Sequence, residues 1–195
     1  MLDELQSIKN HEVSDIIPAS SVPSNNSIIG TRWVFKVKAD GRFEARLVVQ
    51  GWSQRHGPDC GSTFAPVCRL ETKSVTSKFE VTGTPVATRV ALDVQTAFLN
   101  VKLQETALCR QPPGFETFDL TTGEPQVMRL KRALYGLRQS PNVWNDTMDT
   151  ELRKMFFLAT ASDLCVYTKG SHEGYVMLTL YVDDVLMTGS SISIL

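Results

Sequence analysis

Residues 31–49 alternate with period two. Trp33, Phe35 and Val37 are interleaved with Arg32, Val34, Lys36 and Lys38; after Asp40-Gly41 the pattern resumes, with Phe43, Ala45, Leu47 and Val49 against Arg42, Glu44, Arg46 and Val48. Such alternation marks strands with two unlike faces, and Asp-Gly is a strong turn signal. A β-hairpin with one apolar and one largely basic face is predicted. A helical period appears at two places. Leu2, Leu5 and Ile8 give residues 1–9 one apolar side. Ser140-Pro141 supplies an N-cap and a helix-starting proline ahead of Trp144, Met148, Leu152 and Met155, which share a face and read as core. Short strands are predicted at 90–94, 126–130, 163–169, 175–180 and 185–188, with a helical turn or short helix over 96–103. Residues 18–27, 51–66 and 112–114 read as loops and turns. Residues 70–88 fit neither period.

One apolar run is broken by charge. VMLTLYVDDVLM (176–187) carries Asp183 and Asp184 side by side. Uncompensated burial would cost several kcal/mol for each carboxylate, and neighbouring carboxylates repel. A strand–turn–strand hairpin with the pair at its tip, facing a divalent cation, removes both problems. Asp93 closes a second β-rich stretch, RVALDVQTAFL (89–99). Three carboxylates from two sheet segments suit paired magnesium ions, which take carboxylate, phosphate and water oxygens and promote in-line displacement at phosphorus. Taken singly, each has a plainer reading. Asp93 could cap the segment starting near Thr96, and Asp183-Asp184 could be a surface turn.

Composition narrows the classes. The chain has 195 residues, 42% hydrophobic and 21% charged, which fits one ordinary globular domain. No apolar run is long enough for a membrane span, and the first residues lack a signal-peptide pattern, so a cytoplasmic or nuclear location is expected. Cys60, Cys68, Cys109 and Cys165 are scattered and read as reduced thiols. His11, His56 and His172 have no metal-ligand spacing and read as surface or loop residues. Net charge is −1, but residues 32–69 hold seven basic against three acidic side chains, a local +4. That patch is either a solvated face or a phosphate-steering surface. No nucleophile-elbow, P-loop or dinucleotide-binding motif is present.

The motifs TRWVFKVKADGRFEARLVVQGWSQRHGPD (31–59), TFAPVCR (63–69), LDVQTAFLN (92–100), QPPGFE (111–116), LKRALYGLRQSPNVW (130–144) and LYVDDVLMTG (180–189) occur in one order. Together they resemble the reverse transcriptase of copia-like LTR retrotransposons. The resemblance implies an α+β fold, the fingers and palm of a right-hand polymerase with an antiparallel palm sheet flanked by helices; the family's thumb is expected to be absent here. It spans the chain as one domain, weakly at residues 1–27. It implies an RNA-directed DNA polymerase that adds dNTPs to a primer 3′-OH on an RNA or DNA template, as part of a longer polyprotein in the cytoplasm (in a virus-like particle) or nucleus. Asp93 and Asp183 would ligate two Mg2+ ions, for which Mn2+ can substitute, and Asp184 would complete the triad. Phe98 would stack under the deoxyribose and reject a 2′-hydroxyl. Tyr135, Gly136, Arg138 and Gln139 would frame the templating pair and incoming nucleotide. Lys36 and Arg46 would contact the triphosphate, and Tyr181 and Val182 would lie by the primer terminus.

Departures from the family pattern qualify this. Glu44 stands where the family has a cation and is expected to weaken nucleotide binding. Residues 70–88 replace an apolar helix, Val101 and Leu108 replace Gly and Tyr, and the chain stops just past the acidic hairpin. These features lead to the expectation of a truncated or degenerate copy. The competing readings are a non-catalytic retroelement remnant with weak nucleic-acid binding and, less favoured, an unrelated palm-like nucleotidyltransferase, which leaves ALYGLRQSP unexplained.

Overall fold

The computed structural model describes residues 1–57, 59–69, 88–171 and 174–190. Along the chain run α1 (Leu2–Asn10), β1 (Ser14–Pro18), β2 (Ile28–Ile29), β3 (Thr31–Val37), β4 (Phe43–Val49), β5 (Thr88–Asp93), β6 (Lys102–Arg110), β7 (Gln126–Arg132), α2 (Ser140–Lys154), β8 (Leu158–Ala159), β9 (Val166–Ser171), β10 (Gly174–Tyr181) and β11 (Asp184–Gly189). The fold is therefore mixed α and β, mostly sheet, with two α-helices among the described residues. The atypical stretch 70–88 lies outside the described residues except for Thr88, and so does His172.

The first unit holds residues 1–64 and 98–143. Its four-stranded sheet has the order β1-β7-β6-β2, antiparallel except for the β2–β6 pair. β3 and β4 form a separate two-stranded ribbon, the predicted hairpin, with Trp33 opposite Leu47 and Val34 opposite Arg46. Gly41 supplies the positive φ (83°) that its turn requires. Ile8, Val13, Ile29, Leu47, Val49, Leu99, Met128 and Leu130 are among the residues of one core. The ribbon's apolar face is buried only near its base: Phe35, Val37 and Phe43 are 66%, 60% and 89% exposed.

The second unit holds residues 65–97 and 144–195. Its sheet has the order β5-β11-β10-β9-β8, antiparallel throughout. Leu152, with Met148 beside it, packs on Val176, Leu178, Leu180 and Val185, which alternate onto one face of β10 and β11.

Both helices end alike. The Val13 amide donates to Ile8 O and the Glu12 amide to Lys9 O; the Phe157 amide donates to Leu152 O and the Phe156 amide to Arg153 O. These are Schellman motifs, and each pairs two core residues across the helix end: Ile8 with Val13, Leu152 with Phe157. The left-handed position, normally glycine, is held by Glu12 (φ 50°) and Phe156 (φ 67°).

Several expectations need correction. The first intrahelical bond of α2 runs from the Val143 amide to Gln139 O, so Gln139 is the N-cap. The Ser140 hydroxyl instead donates to Leu134 O. Met155 lies beyond the helix and is exposed. β9 starts at Val166, because the Asp163 carboxylate accepts from the Cys165 amide and holds a turn there. β1, β2, β6 and β8 were not expected. β6 buries Ala107, Leu108 and Cys109 in succession, so no alternation announces it, and the predicted turn over 96–103 shrinks to a 3-10 turn at Ala97–Asn100. All four cysteines are buried free thiols. Burial pushes the Cys109 thiol up to about 12, so it is inert.

Candidate active site

In the second unit, β10 and β11 are joined by a two-residue turn, Val182-Asp183. Asp184, the first residue of β11, pairs directly with Asp93, the last of β5. Cross-strand partners project from the same side of a sheet. Leu92 and Val185 alternate to the other side, where Val185 joins the core. Asp93 and Asp184 thus share the face away from that core, and both are exposed. Asp183 is held beside them: its carbonyl accepts from the Val94 amide at 2.9 Å, and its Oδ1 is shielded from solvent. Val182 has a φ of 53° and Asp183 a negative one, the sign pattern of a type II′ turn, whose first central position normally takes glycine. The indole N–H of buried Trp144 donates to the Val182 carbonyl at 2.8 Å. Among the described residues no three acidic, histidine or cysteine side chains close into a metal cage. The donor set still suits magnesium, which takes one or two carboxylates and completes its shell with phosphate and water oxygens.

In the first unit, Arg46 stacks over the Tyr135 ring at 4.7 Å, and Phe98 meets the same ring edge-on at 5.0 Å. Phe98 itself is buried. Glu44 forms ion pairs with Arg46 (3.4 Å) and Lys38 (3.3 Å). Partial burial pushes its carboxyl up, but these two cations outweigh that and hold it below the ordinary range. Lys36 lies opposite Glu44 in the ribbon and is exposed. Gly136, with φ 89°, passes so near β4 that a Cβ there would lie 2.1 Å from Val49 O. The Val49 amide donates to Tyr135 O at 2.8 Å.

The Arg138–Gln139 segment is held by Gln54. Its amide oxygen accepts from the Arg138 N–H (2.9 Å), and its NH2 group donates to Gln139 Oε1 (3.0 Å) and Asp59 O (3.3 Å). Gln139 is buried, with its Nε2 shielded from solvent. Arg138 also donates to Trp52 O.

A family model described as reverse transcriptase (RNA-dependent DNA polymerase) matches residues 14–195. The chain belongs to this family. It is 34% identical over 195 residues to the retrovirus-related Pol polyprotein from transposon TNT 1-94 of Nicotiana tabacum, covering 97% of the chain and 14% of that polyprotein. It is also 34% identical over 194 residues to the Pol polyprotein from transposon RE1 of Arabidopsis thaliana, covering 96% of the chain and 13% of the polyprotein. The transposon Ty1-H Gag-Pol polyprotein of Saccharomyces cerevisiae is 28% identical over 165 residues, covering 82% of the chain and 8% of the polyprotein. The chain thus spans about a seventh of the length of the plant relatives. The reverse transcriptase match begins at β1, upstream of the first quoted motif.

For this reverse transcriptase chain the structure brings Asp93, Asp183 and Asp184 together through backbone pairing, although 90 residues separate the first two in sequence. It gathers Arg46, Phe98 and Tyr135 in a second group and ties Arg138 and Gln139 to Gln54. Sequence reasoning missed Gln54, and it took Trp144 as core alone. Gln54 carries no local signal toward that segment, because Arg138 and Gln139 lie 84 and 85 residues away. Trp144 did carry one, since a buried indole N–H needs an acceptor.

Proposed function

We propose that this chain is the polymerising domain of an RNA-directed DNA polymerase, acting within a longer Pol polyprotein on a primed RNA or DNA template. The observation that supports this most is the direct pairing of Asp93 with Asp184 beside the Val182-Asp183 turn. In this reading Asp93, Asp183 and Asp184 hold divalent cations. The chemistry that bound Mg2+ supplies is activation of the primer 3′-hydroxyl and stabilisation of charge on the departing pyrophosphate. Tyr181 and Val182 border the primer terminus, and the sheet of the second unit serves as palm. For the first unit, we assign the β3–β4 ribbon to the fingers, with Lys36 and Arg46 binding the triphosphate. Phe98 backs the deoxyribose. Tyr135, Gly136, Arg138 and Gln139 frame the nascent base pair, with Gln54 setting the position of the last two.

The test combines Mn2+ titration with primer extension. Wild-type chain is expected to bind Mn2+, Asp183→Asn to lose most of that binding, and the wild type to extend a primed template in Mg2+. Mn2+ binding indifferent to Asp183→Asn would overturn the assignment. Binding that depends on Asp183 without any extension would point to a non-catalytic remnant.

A further inference from the structure

A β-branched residue at positive φ is a genuine outlier, and Val182 holds such a conformation at the turn that carries Asp183. Strain of this kind, of order 1–3 kcal/mol, persists only where the surroundings over-determine it. Two hydrogen bonds from outside the hairpin help to hold it here. The Val94 amide, just past β5, donates to the Asp183 carbonyl, and the Trp144 indole in the first turns of α2 donates to the Val182 carbonyl. The first bond is an extension of the β5–β11 ladder. The second is made by a side chain that is only 5% exposed, and its acceptor is the peptide linking Val182 to Asp183. Rotation of that peptide would re-aim Asp183 and leave a buried N–H of Trp144 without an acceptor.

We propose that Trp144 is a positioning residue for the acidic turn. Its indole N–H locks the 182–183 peptide and so fixes the direction in which Asp183 presents its carboxylate to a cation. The proposal rests on the cation-binding reading above. It separates two roles that burial alone confuses. A purely packing tryptophan would be replaced well by phenylalanine, which keeps most of the apolar surface and loses only the donor.

Three variants test it in the full chain: Trp144→Phe, Val182→Gly, and the two combined. Two readouts are Mn2+ affinity and hydrogen exchange of the amides at 182–185, with β9 as internal reference. Trp144→Phe is expected to raise the Mn2+ Kd about 5–10-fold and to speed turn exchange about tenfold, with β9 unchanged, as loss of one buried hydrogen bond implies. Glycine removes the cost of positive φ, so the turn keeps its form without the lock. Adding Val182→Gly to Trp144→Phe should therefore recover most of the Mn2+ affinity, a coupling that a packing defect does not give. Mn2+ binding that depends on Asp183 but ignores Trp144→Phe overturns the positioning role alone. Mn2+ binding that ignores Asp183→Asn overturns the cation reading, and the role falls with it. If Trp144→Phe speeds exchange across β9 as much as at the turn, the tryptophan is packing and the proposal fails.

Discussion

Neutralising Asp59 should destabilise the first unit by an amount that depends on pH in a defined way. The Asp59 carboxylate is 4% exposed and accepts from the Arg55 backbone amide (2.8 Å), the Arg55 guanidinium (3.3 Å) and the Ser27 hydroxyl. Burial pushes its pKa up, but the hydrogen bonds from Arg55 and Ser27 outweigh that and bring it from 3.8 down to about 2. A shift of that size corresponds to about 2 kcal/mol of stability. This is an upper value, because the Arg55 side chain is 54% exposed and its charge is screened. The folded pKa is depressed, so the contribution is complete above pH 3.8 and is lost as pH falls toward 2. Asp59→Asn should therefore lower the urea midpoint by about 1 M at pH 7, taking m near 2 kcal/mol/M, and by almost nothing at pH 2. Asp15, Asp40 and Asp149 are also depressed by their cations, but they titrate alike in both proteins and cancel in the difference. Equal midpoint differences at pH 2 and pH 7 would refute the electrostatic account and leave only packing. The effect reaches beyond the loop, because the Asp59 carbonyl is one of the three partners holding the Gln54 amide.

Other outcomes follow from single contacts. Gly136→Ala must accommodate a Cβ 2.1 Å from Val49 O at a φ of 89°, so a loss of at least about 2 kcal/mol is expected in urea denaturation; a loss under 0.5 would show that the 135–137 turn is free to move. Phe156→Gly removes the left-handed penalty at the end of α2, and the ring is 79% exposed. The melting temperature should rise by about 2–4 °C, and a fall would mean that the ring packs more than its exposure suggests. Glu44→Gln releases Arg46 and Lys38 from their ion pairs. Deoxynucleoside triphosphate affinity should improve about 2–5-fold at low salt, read by fluorescent-nucleotide titration; unchanged affinity would remove Arg46 from the triphosphate site.

What could be read in the sequence was what is local. The 31–49 ribbon announced itself through alternation and Asp-Gly, the acidic turn through charge in an apolar run, and α2 through its 3.6-residue stripe. β1 was hidden because SDIIP is short and ends in proline, and its pairing with β7 is a contact between residues over 100 apart. β6 was hidden by its run of consecutively buried residues. At the candidate site the carboxylates were legible because charge set in an apolar run has to reach solvent or a partner. The hydrogen bonds that aim them were not. Nothing near Gln54 signals Arg138 or Gln139; for Glu44 the alternation already set Arg46 on the same face two residues away, and only the hairpin pairing adds Lys38. Ion pairing turns that residue from a simple repulsive charge into a competitor for Arg46.

The β3–β4 ribbon has no third strand among the described residues, and beyond its base it carries Phe35, Val37 and Phe43 in the open. A short sticky ladder of this sort invites a second molecule to lie alongside it. Lys36, Lys38 and Arg42 sit at the same end, and although Glu44 and Asp40 pair with the last two, the tip keeps a small net positive charge that discourages an incoming copy. That protection is purely coulombic and has a range of about 10 Å at 0.1 M salt, shrinking to about 3 Å at 1 M. High-salt washing, commonly used to strip nucleic acid from a basic surface, would therefore favour clumping of this protein through its hairpin tip.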